Sequence, residues 1–574
     1  MIVDNADDPS IFSHQGDGSA SKDGSSSSAS QANSLSDFLP QSPSGSILIT
    51  SRNRELAYKL TESTSDIIKV NPMDQGHALA LLQKKLGTDL ERDDEVKLLQ
   101  TLDYMPLAIT QAAAYISQRA PRTTVSRYLQ DLLRGDKERA SLLKKDVGDS
   151  RRDGRASNSI IATWQISFEH IRQNKPSAAR LLSLMSLFDR QGIPELLLNH
   201  CHQEDDVEDD FEDDIHILSS YSLIGTNVDG NVFEMHRLVQ FSTKAWLEIN
   251  GELEKWKEQY IKVIDEAFPV GRYENWKTCL DLFPHAENVL AYRPTNEAHL
   301  ERWSSILFNA AWYANDRGNY SAAEEMNRRA LEGYEKALGL EHPSTLSSIA
   351  NLALTYSNRG RWKEAEELDV QVMETSLRVL GDEHPSTLTG MANLASTYRN
   401  QGRWKEAEEL EVQVMETRKR VLREEHPDTL TSMANLASTY RNQGRWKEAE
   451  ELEVQVMEIR KRVLGDEHPD TLTSMVNLAS TYWDQGRWKE AEDLQKQELE
   501  ACSRVLGQEH PDTLISMGNL ALIFKNEGRH DEAIQLMRAC VQSRKKILGV
   551  DHPHTASSLE KLDEWQVKRT PSSP

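Results

Sequence analysis

From about residue 300 onward the apolar residues fall into paired segments, each with helical spacing. In the stretch 427–465, Leu430, Met433, Leu436, Ala437 and Tyr440 recur at intervals of three and four, which predicts an amphipathic helix. Pro427 and Asp428 suit its start, where a missing N–H costs nothing and a carboxylate meets free amides. Gly444 breaks the helix, and a second one is expected from Trp446, with Ala449, Leu452, Val456, Ile459 and Val463 on one side and Gly465 at its end. The same pattern returns every 42 residues: His-Pro begins at His342, His384, His426, His468, His510 and His552. Asn-Leu-Ala keeps the same period at Asn351, Asn393, Asn435, Asn477 and Asn519, as does Gly-Arg at Gly360, Gly402, Gly444, Gly486 and Gly528. Trp362, Trp404, Trp446 and Trp488 follow two residues after the glycines, His530 replaces Trp in the last unit, and an earlier unit keeps Asn309, Gly318 and Tyr320. One helix pair cannot bury its own apolar stripe, so neighbours must stack. The pattern predicts an α-solenoid over residues 301–566, with six units and a partial final helix. Arg423 stands where the other units end on glycine, at a cost of about 1 kcal/mol if that site needs positive φ.

The first half patterns differently. Ile2-Val3 followed by Asp4 reads as a buried strand that delivers a carboxylate to a sheet edge. Residues 13–36 are rich in Ser, Gly and Asp and read as a flexible loop. Ile47-Leu48-Ile49, followed by Thr50, Ser51 and Arg52, reads as a second such strand, whose arginine suits a terminal phosphate. Helices are expected over Asp74–Leu86 and Gln111–Ile116, the latter after Met105-Pro106-Leu107-Ala108. The acidic run from Glu204 to Asp214 lacks the glycine and terminal Glu of a calcium loop and reads as a helix with a solvated acidic face. Residues 251–300 read as a helical linker or degenerate repeats, and the tail 567–574 as disordered.

Composition narrows the function. A formal net charge of −24 makes the chain a poor general binder of nucleic acid. No apolar run approaches the roughly 18 residues of a membrane span, and the first residues lack a signal-peptide pattern, so a cytoplasmic protein is expected. Cys201, Cys279, Cys502 and Cys540 lie far apart and suggest reduced thiols and no zinc site. No nucleophile–base pair is legible, so a catalytic site of its own is the least expected reading.

Asn-Leu-Ala-x-x-Tyr, then Gly-Arg-Trp-x-Glu-Ala-Glu, then Leu-Gly-x-Glu-His-Pro resemble the tetratricopeptide repeats of kinesin light chains. The resemblance implies a concave groove for extended peptides, in which Asn351, Asn393, Asn435, Asn477 and Asn519 bond the peptide backbone. An amide side chain offers both donor and acceptor for that purpose. The same asparagines could instead bond a neighbouring helix or turn, and both readings stay open. The repeated Trp reads as a packing residue, and the Arg-x-Lys-Glu-Ala-Glu-Glu runs as solvated faces with i,i+4 pairs.

The N-terminal motifs resemble the NB-ARC module of STAND-class signalling ATPases. The opening strand resembles Walker B, Thr50-Ser51-Arg52 sensor 1, and Met105-Pro106-Leu107-Ala108 the Gly-Leu-Pro-Leu motif with Tyr104-Met105 for Gly-Leu. Glu234 to Val239 resembles the motif whose histidine contacts ADP. The resemblance implies a partial α/β nucleotide-binding domain over 1–70, a helical subdomain over 71–155 and a winged-helix-like subdomain over 156–250. It further implies that Asp4 holds Mg²⁺, Arg52 senses the γ-phosphate of ATP, Pro106 packs on adenine and His236 holds the ADP state. No phosphate-binding Gly-x-x-x-x-Gly-Lys-Ser/Thr loop occurs, and the family places it before the Walker B strand. This chain is therefore expected to bind nucleotide weakly or not at all and not to hydrolyse it. A sheet lacking those elements would expose an edge and invite self-association. The domain order is that of fungal NLR-like proteins of innate immunity or heterokaryon incompatibility. The implied function is a protein-interaction scaffold whose repeats sense a protein or peptide. Two alternatives are a repeat adaptor without nucleotide chemistry and a cargo adaptor like a kinesin light chain, though no long heptad coiled coil precedes the repeats.

Overall fold

The computed structural model describes residues 2–3, 47–51, 57–58, 61, 67–68, 73–86, 92–118, 120–133, 160–198, 211–221 and 223–567. The chain divides into two compact units, Met1–Ala267 and Phe268–Pro574. Among the described residues helices dominate both, and the few strands lie in the first.

In the first unit, β1 (Ile2–Val3) and β2 (Leu48–Ile49) pair in parallel, Ile2 with Leu48 and Val3 with Ile49, so both strands end at the same edge. Among the described residues come the helices α1 (Gln75–Leu86), α2 (Arg92–Thr101), α3 (Pro106–Gln118) and α4 (Val125–Leu133). They share a core of Ala78, Leu82, Leu98, Leu99, Ile109, Ala112, Ala113 and Tyr128. Leu238 and Phe241 join that core from a later helix, α8. Next come α5 (Ile160–Asn174), α6 (Pro176–Met185), β3 (Ile193–Pro194), α7 (Phe211–Ser220), β4 (Ile224–Thr226), β5 (Val232–Met235) and α8 (Arg237–Ile249). The three strands form an antiparallel sheet in the order β3-β5-β4. Its β4–β5 turn closes on Asn227, whose Oδ1 accepts from the N–H groups of Asn231 and Val232 at 3.1 and 3.2 Å. The acidic segment departs from a wholly solvated face: Asp214 on α7 is 1% exposed and accepts from Ser177 Oγ at 2.7 Å. Helix α9 (Leu253–Ala267) closes this unit, with Tyr260 packed edge-on against Phe188 at 5.1 Å.

The second unit starts within the stretch read as a linker, which is thereby divided between the two units. Helix α10 (Trp276–Asn288) precedes six helix pairs. These are α11 (Leu300–Asp316) with α12 (Tyr320–Leu338), α13 (Pro343–Asn358) with α14 (Trp362–Leu380), and α15 (Pro385–Asn400) with α16 (Trp404–Leu422). Then come α17 (Pro427–Asn442) with α18 (Trp446–Leu464), α19 (Pro469–Asp484) with α20 (Trp488–Val505), and α21 (Pro511–Asn526) with α22 (His530–Ile547). A last helix, α23 (Pro553–Val567), covers the end. From the first pair to the fifth, successive first helices touch each other, whereas successive second helices do not come as close, so the first helices line the inside of the curve.

The repeated motifs have distinct local tasks. Each His of His-Pro caps a first helix: Nδ1 of His342, His384, His426, His468 and His510 accepts from the backbone N–H two residues on, at 3.1–3.2 Å. Proline then fills the first helical position, where no donor is needed. The arginine after each Gly is not a simple solvated-face residue with i,i+4 pairs. Arg403 bonds Glu406 three residues on, reaches back to Glu366 of the preceding pair at 2.7 Å, and lies 4.0 Å over the Tyr398 ring. Arg445 repeats this with Glu448, Glu408 and Tyr440, and Arg487 with Glu490, Glu450 and Tyr482. Burial raises Glu408, but Gln443 and Arg445 hold its carboxyl below the usual range. The repeated Trp side chains are half-exposed, near 41%.

The innermost stripe of the second helices also differs from expectation. On α18 it is Ala449, Glu453, Val456 and Arg460 that are buried, while Val463 is half-exposed. Arg460 ties its helix to the next pair, donating to Asp470 O at 3.0 Å and Ser474 Oγ at 2.9 Å.

Solenoid units ordinarily meet only their neighbours. Here the ends of the array meet. Arg317 Nη1 donates to Ile547 O, and His552 Nε2 lies 3.3 Å from Asp316 O. Because His552 Nδ1 accepts from His554 N, its proton sits on Nε2, which donates to that carbonyl. Tyr273, just before α10, packs edge-on to His510 at 4.2 Å.

Candidate functional site

The asparagine row runs along the inside of the curve. Asn351 is bonded within the fold: its Nδ2 donates to Asn327 Oδ1 at 2.9 Å, and Asn327 in turn donates to Thr355 Oγ1 at 3.0 Å. Among the described residues Asn393, Asn435, Asn477 and Asn519 make no side-chain hydrogen bond, and each reaches solvent, Asn393 exposed and the others half-buried. The positions one turn to either side on α17 and α19 are uncharged: Thr431 and Ser438, then Thr473 and Ser480. Four free amides in a row can each offer a donor and an acceptor to an extended backbone. The first amide in the row is committed to the fold.

Beneath the row lies a second layer that the sequence reading missed. Residues 327, 369, 411, 453 and 495 occupy one position of successive second helices, and they are Asn, Asp, Glu, Glu and Gln. All five are buried, none more than 4% exposed. A polar residue at a fixed 42-residue interval inside an apolar stripe was the available signal. The first four each face a threonine of the next first helix, whereas the matching residue for Gln495 is Ile523 and Gln495 bonds Glu498 at 2.6 Å. Thr397 Oγ1 donates to Asp369 at 2.6 Å, and burial pushes that carboxyl up to about 6. Glu411 is paired with Arg399 Nη1 at 3.2 Å. Glu453 makes no hydrogen bond through either oxygen.

In the first unit the structure brings two sequence motifs together. His236 caps α8, its Nδ1 accepting from Leu238 N at 3.2 Å, so its proton lies on Nε2. Nε2 stands 3.6 Å from Asp103 Oδ2, outside hydrogen-bond range, and Asp103 Oδ2 accepts from Arg237 N at 3.2 Å. Burial holds His236 below the usual histidine range, while Asp103 pulls it up and Arg190 pushes it down. Asp103 and Tyr104 have φ of 49° and 56°. Tyr104 thus takes the left-handed conformation at the place where the resembling motif has glycine. Pro106 begins α3 with its ring exposed. Asp4 and Arg52 lie outside the described residues. Among the described residues no cluster of His, Cys, Asp and Glu could hold a metal ion, and no helix is long and apolar enough to cross a membrane.

The family model described as "Tetratricopeptide repeat" matches in overlapping stretches over 303–369, 343–420, 393–462, 428–504 and 470–541. The array consists of tetratricopeptide repeats. A second model, "Domain of unknown function (DUF7779)", matches residues 169–250, the segment that holds the three-stranded sheet and α8. A nucleotide-binding leucine-rich repeat (NLR)-like protein of Hyaloscypha variabilis is 39% identical over 360 residues, which is 61% of this chain and 34% of the relative. The chain thus spans about a third of that curated relative. Among solved structures, kinesin-light-chain nearly identical TPR-like repeats from Podosopora anserina are 37% identical over 36% of this chain and 98% of theirs, with a TM-score of 0.31. A STAND protein with a tetratricopeptide repeat sensor from Pyrococcus horikoshii is 13% identical, covering 92% of this chain and 71% of its own, with a TM-score of 0.43. The chain is thus similar to part of an NLR-like protein, and its array to kinesin-light-chain-like repeats.

Proposed function

We propose that the tetratricopeptide array is the sensing part of a larger NLR-like signalling protein and takes an extended protein or peptide segment along its inner face. The observation that carries this is the row of unbonded amides at Asn393, Asn435 and Asn477, flanked by small uncharged residues. A random peptide library displayed against the full chain should enrich binders. Replacing Asn393, Asn435 and Asn477 together with Ala should weaken those binders by on the order of a hundredfold, about 1 kcal/mol for each lost amide. Helical circular dichroism and the melting temperature should stay unchanged. Binding that survives the triple substitution would sink the groove reading, and loss of the fold would favour the structural one.

The first unit favours a second element of the same reading, a nucleotide module of the STAND type. Its support is the contact between His236 and Asp103, three residues before Pro106, which brings the ADP-contacting motif and the proline motif to one place. In that module Asp4 would serve Mg²⁺, Arg52 the γ-phosphate, Pro106 the adenine and His236 the ADP phosphates. Protein purified from its source cells and denatured should then release ADP at close to one equivalent. Protein free of ADP would favour the adaptor reading, in which the repeats work without nucleotide chemistry.

A further inference from the structure

We propose that the junction between the fourth and fifth repeat pairs is a subsite for a cationic side chain, so that the segment bound by the array carries a lysine or arginine at one fixed position. The inference rests on the groove reading above and adds a ligand class to it. Residues 399–400 and 441–442 are both Arg-Asn, but the matching residues 483–484 are Trp-Asp. The change removes a positive charge from α19 and adds a negative one facing the preceding junction. At the third junction Arg399 pairs with Glu411 at 3.2 Å, and the charges balance. At the fourth, Arg441 Nε is drawn to Asp484 Oδ2 at 3.6 Å instead, and Arg441 Nη1 has no hydrogen bond. Glu453 is left with both oxygens unbonded although it is only 2% exposed. Two carboxylates therefore share one arginine.

Asp484 is the carboxylate that a groove ligand can reach, and both Glu453 oxygens lie buried beneath it. Glu453 is the repeat equivalent of Asn327, and Asn327 Oδ1 is the atom that accepts from the row asparagine Asn351 at 2.9 Å. Asn477 and Glu453 hold the repeat positions of Asn351 and Asn327, and Asn477, Thr481 and Asp484 share one face of α19. Asp484 and Arg441 are 30% and 25% exposed, so the shared charge opens on the inner surface. Thr481 lies close enough to Glu453 to favour its charged form, but outside full hydrogen-bond geometry. A buried carboxylate without a partner is costly. Burial pushes Glu453 up to about 7 against the pull of Thr481 and Arg441, and Asp484 adds to the rise. An incoming ammonium or guanidinium pairs with Asp484 and supplies the missing positive charge, which frees Arg441 for Glu453. An anionic side chain would meet two acids there.

The peptide library provides the test. Peptides enriched on the full chain should share a Lys or Arg at one position. Synthetic versions should bind on the order of tenfold more weakly when that residue is replaced by citrulline. Asp484→Asn and Glu453→Gln restore residues that other pairs carry at these positions, Asn442 and Gln495, so both variants should keep the helical signal. Each should weaken the cationic peptide by a similar factor and leave the citrulline peptide unchanged. Enriched peptides with no basic position, or cationic peptides that bind both variants as tightly as the parent, would overturn the subsite. If the asparagine triple variant still abolished binding in that case, the groove would stand without it. A library that yields no binder overturns the groove and the subsite together.

Discussion

Arg423 shows what one residue can cost a repeat. Its backbone has φ 76° and ψ 167°, the conformation that Gly339, Gly381 and Gly465 take at the same turn. The sequence marks this site as one where positive φ would favour glycine, and the backbone has positive φ. The observed ψ puts it in the region open essentially to glycine alone, where a side chain costs of order 1–3 kcal/mol. Arg423→Gly should therefore raise the stability of the array by about 1 kcal/mol, less than the full strain because glycine also gains freedom in the unfolded chain. Paired denaturant melts of parent and variant read this directly. A variant no more stable than the parent would mean that the turn relaxes around arginine. His236 is a contrasting case. Its place next to Asp103 depends on a contact 133 residues apart in sequence, since residue 103 and residue 236 belong to different helical groups. No local pattern could have revealed it.

At the scale of elements, the helix pairs were legible because several signals agree at each boundary. Proline at the start, glycine at the turn and apolar spacing between them leave little choice of boundary. What the spacing could not rank was depth. Leu452, Ile459 and Val463 looked equivalent to Ala449 and Val456, yet the innermost line runs through Glu453 and Arg460. Hydrophobicity suggests which residues prefer burial, whereas the stacking geometry of the next pair decides which are buried. Arg460 is held there by Asp470 O and Ser474 Oγ, and Glu411 by Arg399, partners that come from other helices. The arginines at 403, 445 and 487 carry a similar lesson. Each bonds a glutamate in its own helix and another in the preceding pair, so the charged face also fastens one pair to the next. A half-exposed ion pair of this kind contributes about 0.2–1 kcal/mol, and the stacked tyrosine adds about 0.5–1.

At the scale of the whole array, the first pair meets the last. Gly318 lies at that contact with φ 73°, and a Cβ there would stand 2.8 Å from Pro553 Cδ and 2.9 Å from His552 Cδ2. Gly360 has the same φ of 73° and nothing within 4 Å. Gly318→Val and Gly360→Val therefore impose the same backbone strain, but only the first obstructs the meeting of the ends. Spin labels on α12 and α23 should report a longer separation in Gly318→Val than in the parent, and no change in Gly360→Val. Equal distances in both variants would mean that the ends do not meet in solution.

The sequence by itself determined the repeat period, the helix boundaries, the capping histidines' positions and the row of asparagines, because each follows from local spacing and local backbone chemistry. It also determined that the first half differs in kind from the second. Only the tertiary structure decided that Asn351 is spent on Asn327 while four other asparagines stay free, that Glu453 lacks the arginine Glu411 has, and that Asp103 meets His236. The physical reason is common to all three: a hydrogen bond or an ion pair depends on what the neighbouring element presents within about 3 Å, and neighbours in a stacked fold are set by the path of the backbone.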